Sequence, residues 1–153
     1  MRWSTPSTSS LISLSAALLA AWSAGCQQAE PQREAVEARD RPAATIVAPA
    51  DGDTLSRPEV RIEFAVEHIA LRPAGTDEPD SGHLHLFVNR ELTPAGEVIP
   101  AEQGIVHLGQ AQTEHLLEDL EPGDYTVIAV LGDYLHVRIP GAKTDTVRFT
   151  VRG

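Results

Sequence analysis

Between Val60 and Glu67 the chain alternates without a break, Val60, Ile62, Phe64 and Val66 against Arg61, Glu63, Ala65 and Glu67. A period of two puts one set of side chains on a buried face and the other in solvent, which only a β-strand can do. The same signal recurs along the chain from Ala44. Thr45 to Ala48 reads as a first strand, closed by the turn residues Pro49-Ala50-Asp51-Gly52. Leu84, Leu86 and Val88 alternate with His83, His85 and Phe87. Gly104 to Leu108 and Thr113 to Leu117 are short strands, and Val147, Phe149 and Val151 are in phase within a last one from Thr146. Tyr125 to Leu131 is almost continuously apolar, as a central strand covered on both faces would be. No helical period competes. About seven short strands in roughly 110 residues predict an all-β, immunoglobulin-like antiparallel β-sandwich. An open barrel or jelly roll is the competing all-β architecture. Leu120-Glu121-Pro122-Gly123-Asp124-Tyr125 resembles the tyrosine corner of such sandwiches, a Tyr that enters a long strand and bonds back to the corner.

The chain's 153 residues allow one domain of this kind. Its formal net charge is −10, and the bases do not cluster, which excludes a nucleic-acid partner. A single cysteine, Cys26, excludes an intrachain disulfide and a thiolate zinc cluster.

Ahead of the strands lies a different kind of sequence. Leu11 to Trp22 is an apolar run too short to span a bilayer and of the length of a signal-peptide core. Ser23-Ala24-Gly25-Cys26 then resembles a bacterial lipoprotein signal, in which Cys26 is lipidated and becomes the mature N-terminus. Ser23 stands where such signals usually carry Leu. A signal peptide cut nearby, with Cys26 left as a free thiol, is the plainer alternative. Gln27 after the Cys resembles signals sorted to the outer membrane. Residues 26–43 are polar, with little apolar surface to offset ordering, and read as a flexible tether. The expected organisation is a lipoprotein signal peptide at 1–25, a lipidated Cys and tether at 26–43, and the sandwich at 44–153. The expected location is the cell envelope, on the outer membrane facing the periplasm, with the membrane as partner through Cys26.

The chemistry rests on histidine. His83 and His85 are two apart on a strand, so both imidazoles share one face, opposite Leu84 and Leu86. A His-x-His strand pair can chelate one ion with both rings. In Ile105-Val106-His107-Leu108, His107 opposes Val106 and Leu108; in Leu135-His136-Val137-Arg138-Ile139, His136 opposes three apolar residues. Four histidines therefore face away from the apolar side of their strands, onto an outer face where further ligands can approach. His68 shares the phase of Val60 to Val66 and reads as a strand-end core or rim residue. His115 has no assignable phase. A lone histidine is ordinarily a solvated or hydrogen-bonded polar residue. Two on one face make the case for a metal, and imidazole with carboxylate favours Zn or Cu(II). Glu114, Asp133 and Asp80 are carboxylates that could complete such a site.

Other chemistry finds little support. Asp77, Glu78 and Asp80 lack the ligand spacing of a calcium loop and read as a solvated turn. No Gly-x-Ser-x-Gly elbow or glycine-rich phosphate loop occurs, and Ser81 near His83 is adjacency alone.

Pro73-Ala74-Gly75, Ser81-Gly82-His83-Leu84-His85-Leu86, His107-Leu108-Gly109-Gln110-Ala111-Gln112-Thr113-Glu114, Leu120-x-Pro122-Gly123 and Gly132-Asp133-x-x-His136 follow in fixed order. Together, over residues 44–153, they resemble the bacterial family named domain of unknown function 4399. In that family the first motif usually reads Gly-His-His-His and the later ones carry a second His. Here Leu84, Ile105 and Ile139 stand at those extra positions, and the Pro-Gly turn leads to Tyr125-Thr126 where His-Thr is usual. The resemblance implies a His-poor divergent member: a small exported β-domain, often lipidated, with a histidine-lined surface at His83, His85, His107 and His136.

The expectation is therefore a lipid-anchored β-domain that is not an enzyme. It would bind Cu(II) or Zn through His83 and His85, with His107 and His136 as third and fourth ligands and Glu114 or Asp133 behind them. The alternative is an envelope interaction module that uses the same polar face for a protein or glycan and needs no metal. A metal-dependent hydrolase would need an open coordination position in a cleft.

Overall fold

The computed structural model describes residues 40–153; the expected signal peptide, Cys26 and nearly all of the tether lie outside them. Nine strands run through the described residues, which contain no helix. They are β1 (Ala43–Ala48), β2 (Asp53–Leu55), β3 (Val60–Glu67), β4 (Ala70–Leu71), β5 (Ser81–Val88), β6 (Ile105–Leu108), β7 (Glu114–Leu117), β8 (Gly123–Gly132) and β9 (Asp145–Val151). The seven expected strands are all present. The two-residue β4 and three-residue β2 are too short to show a period.

One sheet is β1-β3-β7, antiparallel, with β3 at its centre. The other runs β2-β9-β8-β5. The remaining edge of β5 is shared, with β4 beside Ser81 and Gly82 and β6 beside Leu84 to Phe87. β2 pairs parallel to β9 and β4 parallel to β5. This is an immunoglobulin-like β-sandwich.

The alternation in β3 comes out as the sequence predicts. Val60, Ile62 and Phe64 are buried while Arg61, Glu63 and Ala65 are exposed. They meet Leu84, Leu86, Leu108, Val127, Ala129, Leu131, Val147, Phe149 and Val151 of the opposing sheet in one core. Each such large side chain contributes about 1.5–3 kcal/mol by leaving water. Tyr125 forms the expected corner. Its hydroxyl donates to the Glu121 carbonyl at 2.8 Å, and its ring stacks on Phe149 with centroids 5.5 Å apart.

β5 departs from expectation. Its outer face, assigned to solvent, is buried as fully as its inner one. Phe87 packs there with Val130 of β8 and Ile99 of the long β5–β6 connection, flanked by Leu92, Ile105 and Ile128. That connection is tied to the loop after β8, where Ile99 N–H donates to the His136 carbonyl (2.8 Å) and Val98 pairs with Val137. A second, smaller core thus lies on the back of the larger sheet, beside the histidines.

Three further expectations are corrected. Leu135 to Ile139 forms no strand; it is a loop, with Leu135 57% exposed, because Asp133 turns the chain back as soon as β8 ends. His68 is exposed, with φ 58° in the turn between β3 and β4, so the phase of β3 does not extend to it. Ala43, assigned to the tether, is already buried in β1.

Candidate metal centre

His83 and His85 project from β5 toward the back of the larger sheet, opposite the core face that holds Leu84 and Leu86. They are 1% and 2% exposed. Antiparallel pairing with β6 sets His107 directly across from His85. On the other side of β5, β8 pairs Gly132 with His83 and Val130 with His85. Two strands thus deliver three imidazoles to one patch of sheet.

The fourth arrives on the loop that follows β8. The Asp133 carboxylate accepts hydrogen bonds through Oδ1 from the N–H groups of Leu135 and Val137, both at 2.9 Å. The Asp133 carbonyl accepts from His136 N–H, and Asp133 N–H donates to Val137 O, each at 2.9 Å. This tight return places His136 at φ 64°, a left-handed conformation that a non-glycine residue adopts at a cost. His136 is half-buried and His107 exposed, so the cluster is closed toward the sheet and open toward His107.

The four rings converge. The Nε2 atoms of His83 and His85 are 3.0 Å apart, and those of His107 and His136 3.2 Å apart. One nitrogen from each of the four lies within 4.8 Å of the others. Two glycines make the room. A Cβ on Gly132 would sit 3.0 Å from His85 Nε2, and one on Gly109 would collide with the His107 ring.

Burial and crowding favour the neutral form of His83, His85 and His107. His85 is pushed down to about 3, first by burial and then by the positive charge its neighbours His83, His107 and His136 would carry. His83 falls to about 4 for the same reasons, against a smaller upward pull from Asp133. His107 is lowered by burial and by His136. At neutral pH these three therefore present imidazole lone pairs, the form that binds metals.

A close pair of ring nitrogens needs one N–H donating to the other's lone pair. Among the described residues the buried His85 Nδ1 has no hydrogen-bond partner, and a cation held at Nε2 would leave it so. A cation among the Nε2 atoms would use all four lone pairs at once. The donor set fits a borderline transition metal, since it contains imidazole alone.

Of the carboxylates considered from the sequence, Asp133 is beside the site and shapes the loop that carries His136. Glu114 is elsewhere, on β7 in the other sheet, paired with Arg61 at 2.6 Å. Asp80 lies in the exposed turn before β5, where Glu78 pairs with Arg72 at 2.7 Å. His115 is on β7 opposite Ile62, and neither it nor His68 belongs to the cluster. Sequence reasoning missed Gly109 and Gly132 as the residues that leave space, and the covering segment that carries Ile99. The glycines did leave a signal, one two residues after His107 and the other four before His136.

A family model described as a domain of unknown function, DUF4399, matches residues 62–152. The chain belongs to this family. The DUF4399 span starts within β3 and contains all four clustered histidines together with Gly109, Gly132 and Asp133. No curated protein sequence matches the chain. Among solved structures, the fibronectin(III)-like modules of Clostridium thermocellum CbhA are similar at 14% identity, with a TM-score of 0.46 over 71% of this chain and 93% of that one. The PKD domain of human KIAA0319 is similar at 16% identity, with a TM-score of 0.36 over 87% of this chain and 91% of that one.

Proposed function

We propose that this protein is a cell-envelope lipoprotein, anchored through Cys26, whose β-domain binds one divalent transition metal ion through His83, His85, His107 and His136. The observation that carries the reading is the convergence of four imidazole nitrogens within 4.8 Å in a patch where two of the rings are fully buried. Buried imidazole is uncommon without a partner, and here the rings partner chiefly one another. The ion would use the four nitrogens as ligands and hold the loop bearing His136 against β5. Asp133 would supply a nearby negative charge, and the chain's overall −10 favours cation approach. With four protein ligands the site does no hydrolytic chemistry, which requires a free position. The protein is on this reading a metal carrier or buffer and not an enzyme.

Calorimetric titration with Zn(II) and with Cu(II) tests this. One equivalent bound by the wild-type protein and none by His83→Ala/His85→Ala is the expected result. Absence of binding by the folded wild type would overturn it.

A second reading, an interaction module for a protein or glycan, is favoured by one observation. Val98, Tyr134 and Leu135 are exposed apolar residues on the two hydrogen-bonded segments beside the histidines. A wild-type protein that ignores metals would turn attention to that rim.

A further inference from the structure

We infer that the four-histidine site is a closed tetrahedral centre that selects Zn(II) over Cu(II). This rests on the metal-binding reading above and goes beyond it by naming the ion. The six distances between ring centroids are 4.8 Å (His83–His85), 4.9 Å (His83–His107), 4.9 Å (His83–His136), 5.1 Å (His85–His107), 5.7 Å (His85–His136) and 4.8 Å (His107–His136). Four points almost equidistant from one another form a tetrahedron.

A square cannot produce that set. Its two diagonals exceed its sides by a factor of about 1.4, so sides near 4.8 Å would demand diagonals of roughly 6.8 Å, and Cu(II) prefers such a tetragonal plane. The tetrahedral case can be built from bond lengths. With Zn–N of about 2.0 Å and a ring centroid roughly 1.1 Å beyond the nitrogen, tetrahedral rings have centroids about 5 Å apart. The observed 4.8–5.7 Å brackets that value.

The fold resists flattening. His83 and His85 are fixed by pairing of β5 on both edges, and His107 is held in register opposite His85. His136 sits on a loop, and that loop is braced by the two Asp133 Oδ1 hydrogen bonds and by Ile99 N–H. Geometry therefore opposes the general order of affinity, which places Cu(II) above Zn(II).

Co(II) is the spectroscopic probe. The protein loaded with one equivalent of Co(II) should show the intense visible d–d bands of a four-coordinate tetrahedral ion. Zn(II) should abolish them stoichiometrically and then retain most sites against one equivalent of Cu(II). His107 is exposed, so His107→Ala keeps the fold. Its Co(II) bands should weaken as solvent enters the vacated position. Weak octahedral bands in the wild type, or Cu(II) displacing Zn(II) with the electron paramagnetic resonance of a tetragonal centre, would overturn the assignment and leave the metal-binding reading standing. Failure of Zn(II), Cu(II) and Co(II) alike to bind would overturn both.

Discussion

His85 and His107 face each other across the β5–β6 pair, with ring centroids 5.1 Å apart and planes inclined by 30°. One ring is buried and the other exposed, so the pair spans the cluster from its floor to its mouth. That difference ranks the ligands. Replacing His85 with Ala removes a fixed ligand and leaves a hole beneath the others. The metal dissociation constant should rise by more than about a hundredfold, since even the outer partners of metal ligands are worth 10–100-fold. His107→Ala should weaken binding less, because water can reach the vacated position. Competition against a chromophoric chelator measures both.

The metal-free protein should be acid-sensitive in a defined window. His83 and His85 titrate at about 4 and about 3 in the fold, against an ordinary value of 6.5. Between those values the unfolded chain binds more protons than the folded one, so stability rises with pH there. The contribution of these two rings is fully present above about pH 6.5, falls as the pH drops and has been lost by about pH 3. Urea denaturation from pH 7.5 to pH 4 should show the midpoint falling, and His83→Gln/His85→Gln should flatten the dependence.

Asp133 acts by holding a loop. Asp133→Ala removes the acceptor for Leu135 and Val137 N–H, frees His136 and should reduce metal affinity about tenfold. The loop lies outside the main core, so the loss in folding stability should stay near 1 kcal/mol. Asp133→Asn keeps the acceptor oxygen and should restore most of the affinity. Titration of both variants beside thermal melts separates the two effects.

Gly132→Ala tests the close approach to His85. The new methyl would stand 3.0 Å from Nε2, so the ring must give way by a few tenths of an ångström. Zn(II) affinity should fall while the melting temperature of the metal-free protein changes little. An unchanged affinity would show that the ring has slack.

Tyr125→Phe provides a control at the far end of β8. It removes the hydroxyl bond to Glu121 O and should cost about 1 kcal/mol of stability with no change in metal binding. Chemical denaturation and calorimetry on the one variant check both halves.

The sandwich was legible because its strands write their burial into the sequence. Val60 to Glu67 and Val147 to Val151 bury the residues that alternation selects, and Tyr125 announces its corner through the Pro122-Gly123 turn. The pairing of His83 with His85 followed from the same period. What parity could not show was the third dimension. It placed His136 on a strand that does not form, since a loop closed by Asp133 and a left-handed residue leave no periodic trace. It assigned the histidine face to solvent because Leu92 and Ile99 lie in a connection with no pattern to mark it as a cover. Glu114 was a candidate as a carboxylate that could complete the site, but its strand belongs to the other sheet.

The most direct measurement is zinc K-edge X-ray absorption on the protein loaded with one equivalent of Zn(II). Four nitrogen neighbours at about 2.0 Å with the outer-shell scattering of imidazole are expected. A shell of six oxygen-dominated ligands, or fewer than three imidazoles, would contradict it.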